Sequence, residues 1–175
     1  LAELGIDAFG GREIANVLIG GLGMGFTLAR TLALVPPTAK VVVAELLPEV
    51  VTWNRELFGH CAGNPLADPR VEVQVGDVGA VIAATPGKYD AILLDVDNGP
   101  EGLTRPANNG LYNRPGLAAA KAALTRYGAL AVWSSVDDDN FVRRMRDSGF
   151  KVQTHHVKAR RTKGARRTIW IARRP

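Results

Sequence analysis

The segment IGGLGMG, residues 19–25, places Gly20, Gly21, Gly23 and Gly25 directly after an apolar run. Glycines there let the backbone turn sharply off a strand and let a ligand approach where a Cβ would stand in the way. Glu45 ends the next apolar run, about 20 residues past the glycines, where an acid can accept from both hydroxyls of a ribose. Leu46 follows it. Gly76, Asp77 and Val78 close a third run, and an acid at such a point can cap the next helix and still offer an oxygen to a ligand. Asp95 ends a fourth run and opens the stretch DVDNGPEG, residues 95–102. The carboxylates of Asp95, Asp97 and Glu101 make a local field suited to a cationic substrate, within a chain whose net charge is +5. Crowded acids hold protons more readily, which suits Asp95 to take one from an ammonium group, with Asp97 and Glu101 as substrate contacts or solvent-facing loop acids.

Positioning such residues requires a particular order of elements. Short β-branched runs alternate with helical segments, the pattern of a parallel sheet flanked by helices. Strands are expected at residues 16–19, 40–44, 71–75, 91–94 and 129–133. Helices are expected at 26–34, 48–58, 78–84, 114–126 and 137–148, with Pro36 and Pro37 stopping the first, Pro48 opening the second and Gly128 closing the fourth. Residues 151–158 and 168–172 read as two further strands joined through a basic turn. A terminal hairpin of this kind suits an antiparallel strand folded into the edge of a methyltransferase-type sheet better than the further strand–helix unit of a dinucleotide dehydrogenase. The fold class is therefore α/β and Rossmann-like: a mostly parallel sheet, a C-terminal antiparallel hairpin, and helices on both faces. Residues 1–175 read as one domain, with no internal repeat or interdomain linker. In NAD-binding folds the glycine loop holds a pyrophosphate, and in adenosyl-sulfonium folds it underlies an amino-acid or propylamine tail.

Composition narrows the classes further. The single cysteine, Cys61, excludes an internal disulfide and a cysteine-based metal cluster, and fits a cytoplasmic setting. No apolar run approaches the roughly 20 residues needed to cross a bilayer, and no basic-apolar-small leader opens the sequence. His155 and His156 fall on an edge strand, one facing in and one out, with no third ligand in sequence, so no metal is expected. His60 and Cys61 read as local packing or solvent residues. Between 158 and 174 lie eight Lys or Arg residues and no acid. Such a segment can contact nucleic acid, yet it lacks interleaved aromatics and reads better as a solvated hairpin.

These sites resemble those of the spermidine synthase family of polyamine aminopropyltransferases. The resemblance runs from Val17 to Trp133 and rests on VLIGGLGMGFTLA, VVVAELLPEVV, DPRVEVQVGDV, YDAILLDVDNGPEG and NNGLYNRPGLAAAKAALTRYGALAVWSS. It implies that Glu45 binds a ribose, that Asp77 contacts an adenine, and that Asp95 is the base acting on an attacking amine. It implies a cofactor, decarboxylated S-adenosylmethionine or S-adenosylmethionine itself, leaving methylthioadenosine or S-adenosylhomocysteine, with no metal. It also implies an amine acceptor, a homodimer, and an N-terminal β domain that the 175 residues do not contain. The sequence departs from the family pattern at three places: Gly23 stands where the family carries an acid, Asn98 where it has a second acid, and Trp133 where it often has glutamine.

Two other readings remain. Gly23 leaves room for a cofactor carboxylate, which favours an S-adenosylmethionine-dependent methyltransferase. A non-catalytic module holding a nucleoside, or nucleic acid through residues 158–174, is the third.

Overall fold

The computed structural model describes residues 1–96, 109–158 and 166–175. Asp97, Asn98, Glu101, Arg160, Arg161 and Lys163 lie outside the described residues.

Four strands take up the apolar runs: β1 (Asn16–Gly20), β2 (Lys40–Glu45), β3 (Val71–Val75) and β4 (Tyr89–Leu94). A fifth, β5, spans Leu124–Ser134, and the terminal hairpin is β6 (Lys151–Lys158) with β7 (Arg166–Arg173). Among the described residues these seven strands form one sheet in the order β3-β2-β1-β4-β5-β7-β6. The first five run parallel, and β7 is antiparallel to both β5 and β6. This is the expected architecture, a parallel sheet finished by an antiparallel hairpin.

Successive residues of a strand point to opposite faces, and the core divides accordingly. Val17, Ile19, Val41, Val43, Leu93 and Ala131 pack with Leu28 and Leu32 of α2 (Phe26–Leu34) and with Ile6 of α1 (Ala2–Asp7). Leu18, Val42, Ile92, Leu94 and Val132 pack on the other face. There they meet α4 (Val78–Ala84), α6 (Arg114–Ala123) and α7 (Asp139–Asp147). Phe141 of α7 stacks edge-on against Trp170 of β7 at 5.1 Å and against Tyr112 of the short α5 (Asn109–Tyr112) at 5.5 Å. Edge-to-face pairs add about 0.5–1.5 kcal/mol each beyond their buried area, so this triplet ties the hairpin to the helices.

The structure corrects the sequence reading in several places. The helix expected over 114–126 ends at Ala123, and Gly128 does not close it. Leu124 turns extended and pairs with Tyr89, while Gly87 and Lys88 donate to the carbonyls of Ala122 and Ala123, so tertiary pairing takes the helix's last carbonyls. The helix expected to open at 137 begins at Asp139, because Asp138 is its cap and accepts from the Phe141 amide at 2.8 Å. The segment 48–58 is divided: α3 (Pro48–Trp53) passes into a π turn over Asn54–Phe58. Helix α1 was not expected; Gly5 lets it lie so close to the sheet that a Cβ there would overlap Leu93. The buried Asp90 accepts from the amides of Ala15 and Asn16 at 2.8 and 2.9 Å and from the Thr125 hydroxyl at 2.8 Å, tying β1, β4 and β5 together at the amino edge.

Candidate functional site

Strand β1 sits between β2 and β4, and the chain first builds outward to β3 before crossing back to β4. Connections therefore leave the carboxyl ends of β1 and β4 in opposite directions, which opens a crevice where α/β folds bind their ligands. The glycine loop spans this crevice. The Gly21 amide donates to the Ala44 carbonyl at 2.8 Å, and the Asp95 amide donates to the Gly20 carbonyl at 2.9 Å. A tight turn follows, closed by the Gly25 amide on the Leu22 carbonyl at 2.8 Å, and α2 begins. Gly21 has φ +86°, and a Cβ on it would stand 2.5 Å from the Asp95 carbonyl oxygen, so the loop crosses β4 only with glycine here.

The crevice is a cleft of about 270 Å³. Of the residues singled out in the sequence, Gly21, Gly23, Glu45, Leu46, Gly76, Asp77, Val78 and Asp95 all line it, joined by Ala44, Leu47, Val50 and Val96. Gly20 and Gly25 do not. Gly20 is buried where a Cβ would press on Leu94 and Val78 at 2.9 Å, and Gly25 is the N-cap of α2. Their service is to packing and to the turn.

Glu45 is nearly buried, at 8% exposure. Its Oε2 accepts from the Leu22 amide at 2.8 Å and its Oε1 from the Leu47 amide at 3.0 Å. Two backbone donors hold the carboxylate in one orientation, and each oxygen keeps a lone pair for a further hydroxyl. Asp77 is exposed and caps α4, its Oδ1 accepting from the Gly79 amide at 3.0 Å. Its second oxygen carries no hydrogen bond among the described residues, so capping leaves an acceptor free. Asp95 is exposed at the cleft, and its Oδ2 accepts from the Thr27 hydroxyl at 2.6 Å. Three carboxylates thus face one small volume, a field that favours a cation.

Thr27 and Asn54 escaped the sequence reading. Thr27 lies in the first turn of α2, and nothing in its spacing ties it to Asp95. Asn54 donates to the Gly23 carbonyl at 2.7 Å. A buried Asn inside a helical segment is the signal that could have drawn attention to it, since Asn is poorly suited to helix interiors.

Residues 7–138 match the sequence model of the spermine/spermidine synthase domain. The chain belongs to that family. A search of curated protein sequences finds no match. Among solved structures, spermidine synthase from Thermotoga maritima superposes with a TM-score of 0.79 at 19% identity, covering 99% of this chain and 59% of that one. A spermidine synthase in complex with the transition-state analogue AdoDATO gives 0.76 at 18% identity, covering 97% and 56%. A SAM-dependent methyltransferase from Aquifex aeolicus gives 0.66 at 19% identity, covering 99% and 89%. The chain therefore spans less than two thirds of the two synthases and most of the methyltransferase.

Against the family pattern, Gly23 is exposed at the cleft, and nothing lies within 4 Å of where its Cβ would stand. Trp133 is half-buried in β5, with the Arg167 guanidinium 5.7 Å from its ring. His155 is half-buried, while His156 is exposed with Nδ1 3.5 Å from Asp137. The exposed Cys61 contacts His60 at 3.6 Å. Among the described residues, no cluster of three or more His, Cys, Asp or Glu could hold a metal ion, and no helix is long and apolar enough to cross a membrane.

Proposed function

We propose that this cleft binds an adenosyl-sulfonium cofactor and that the chain is the catalytic portion of an aminopropyltransferase-like enzyme, passing an aminopropyl group from decarboxylated S-adenosylmethionine to an amine. The observation that carries the reading is the convergence of Glu45, Asp77 and Asp95, from the ends of three different strands, on one cleft floored by Gly21. The donor set fits the group: a fixed carboxylate for a ribose, a free acid oxygen for an adenine amine, and glycines that leave space for a tail. Family membership supports the same class, as does the analogue bound to the related synthase.

When bound, the cofactor supplies an electrophilic carbon beside a sulfonium, which reacts by direct displacement without a metal. The protein's part is to align the partners and remove a proton. Glu45 and Asp77 hold the nucleoside. Asp95, aimed by Thr27, takes a proton from the acceptor's ammonium group, and the amine so freed attacks the carbon as the carbon–sulfur bond breaks and methylthioadenosine leaves. The acids of the cleft attract a cationic acceptor, with Asp97 and Glu101 as its further contacts.

Gly23 supports a second reading, an S-adenosylmethionine-dependent methyltransferase, because the open space above it admits a tail carboxylate. Incubation with each cofactor and a panel of amines separates the two. Release of methylthioadenosine supports aminopropyl transfer, release of S-adenosylhomocysteine supports methyl transfer, and neither product from any amine would remove the transferase reading.

A further inference from the structure

The glycine loop is held from beneath by one buried side chain that no part of the proposed chemistry uses. Asn54 is 3% exposed and stands at the start of the π turn that follows α3. Its Nδ2 donates to the Gly23 carbonyl at 2.7 Å and to the Val50 carbonyl at 3.1 Å. Its Oδ1 is buried without a hydrogen-bond partner among the described residues, close to Gly25, where a Cβ would come within 3.0 Å of it.

This arrangement is a poor one for stability alone. A buried acceptor left unpaired costs folding free energy, and an apolar residue of the same size would fill the space without that cost. The helix also abandons α geometry here, as helices often do at functional sites. Gly59 makes the widened turn possible, because a Cβ on it would overlap the Asn54 carbonyl. What Asn54 secures in exchange is the Gly23 peptide. Gly23 has φ +49°, is exposed, lines the cleft, and has nothing within 4 Å of its Cβ position. Among the described residues, the side-chain contact fixing this peptide comes from Asn54.

We propose that Asn54 is a positioning residue that fixes the Gly23 peptide at the tail end of the cleft, and so sets affinity for the ligand's tail rather than for its nucleoside. The proposal rests on the adenosyl-sulfonium reading, in which Glu45 and Asp77 serve the nucleoside and the glycine loop underlies the tail. Without the clamp, Gly23 and Met24 sample more conformers, and ordering them on binding weakens whatever touches them. The nucleoside end, built by β2 and β3, keeps its geometry.

The test compares two kinds of ligand on one protein. S-adenosylmethionine and its decarboxylated form carry tails; methylthioadenosine keeps the nucleoside and the S-methyl group and lacks the tail. Calorimetric titration of wild type, Asn54→Leu and Asn54→Ser, each checked for a cooperative thermal melt, gives the ratio of tailed to tail-less affinity. Asn54→Leu keeps the branched outline without its polar atoms, and Asn54→Ser covers the case in which the bulkier leucine prevents folding. The expected result is a loss of about tenfold or more for the tailed ligands with less than about threefold for methylthioadenosine. Equal loss for all ligands, or none, would make Asn54 a structural residue only and overturn the inference while leaving the cleft reading intact. If wild type binds none of the three, the cleft reading itself fails and this inference goes with it.

Discussion

The hydroxyl of Thr27 donates to Asp95 Oδ2 at 2.6 Å, joining the first turn of α2 to the end of β4 across 68 residues of sequence. Asp95 is exposed, and its backbone is already fixed by the Gly20 carbonyl. The Thr27 bond adds control over the side chain. In the proposed mechanism Asp95 is a base, and a base must stand within hydrogen-bond reach of the proton it removes, so orientation is worth rate. We expect Asp95→Asn to lower turnover by about 100-fold or more while nucleoside binding stays within about threefold. Thr27→Val should lower kcat about tenfold with a small change in cofactor affinity, and Thr27→Ser should recover most of it. Steady-state kinetics on the three variants checks both; unchanged turnover in Asp95→Asn would remove Asp95 from the mechanism.

In the proposed reading Glu45 both holds the loop and binds the nucleoside, and its replacement should show both. Its carboxylate holds the Leu22 and Leu47 amides, so Glu45→Ala strands two donors at the mouth of the cleft. The expected cost is about 1–3 kcal/mol of folding stability by urea denaturation, and a similar loss of nucleoside affinity by calorimetry. A variant that loses stability but binds methylthioadenosine as tightly as wild type would assign Glu45 to the loop alone.

Gly21→Ala tests the crossing of the glycine loop over β4. The new methyl group meets the Asp95 carbonyl and must also adopt a positive φ, so the loop has to move. We expect a destabilisation of about 1–3 kcal/mol and loss of cleft binding. Gly63→Ala, also at positive φ but with nothing within 4 Å of the added Cβ, is the control that carries backbone strain without a clash.

The Asp68–Arg70 pair predicts how stability responds to acid. Arg70 donates to the Asp68 carboxylate through Nε at 2.9 Å and Nη2 at 2.8 Å, and its amide adds a third bond at 2.9 Å. The Arg70 side chain, and then its amide, hold the Asp68 carboxyl below its ordinary value. Because the folded value is the lower one, the pair's stabilisation is fully present above the usual carboxylate range, near about pH 4, and is lost as pH falls through the depressed value. Asp68→Asn should therefore lower the denaturation midpoint at neutral pH, with the difference from wild type shrinking towards about pH 2. A difference independent of pH would exclude the carboxylate as its source.

Much of this architecture could be read from the residues, because β-branched runs such as KVVVA and glycines at their ends carry local signals. The strands β2, β3 and β4 and the helices α2 and α4 fall where periodicity and proline placement put them. The misreadings have a common cause. Leu124 to Arg126 continue a helical pattern locally, yet pairing with Tyr89 draws Leu124 into the sheet, and Tyr127 takes φ +69°. Helix α1 has too short a period to announce itself and is fixed by contact with Leu93 and Ala131. At the cleft, acids at strand ends were legible, since topology alone brings strand ends together. Thr27 and Asn54 were not, because what they do depends on side-chain contacts across 68 and 31 residues of chain.

The central claim is that the cleft takes an adenosyl-sulfonium ligand. Calorimetric titration of residues 1–175 with S-adenosylmethionine, its decarboxylated form, methylthioadenosine and NADH addresses it most directly. The account predicts binding of the adenosyl sulfur compounds, weakened in Glu45→Ala, and no heat from NADH. Binding of NADH in preference to all three, or silence from all four, would contradict it.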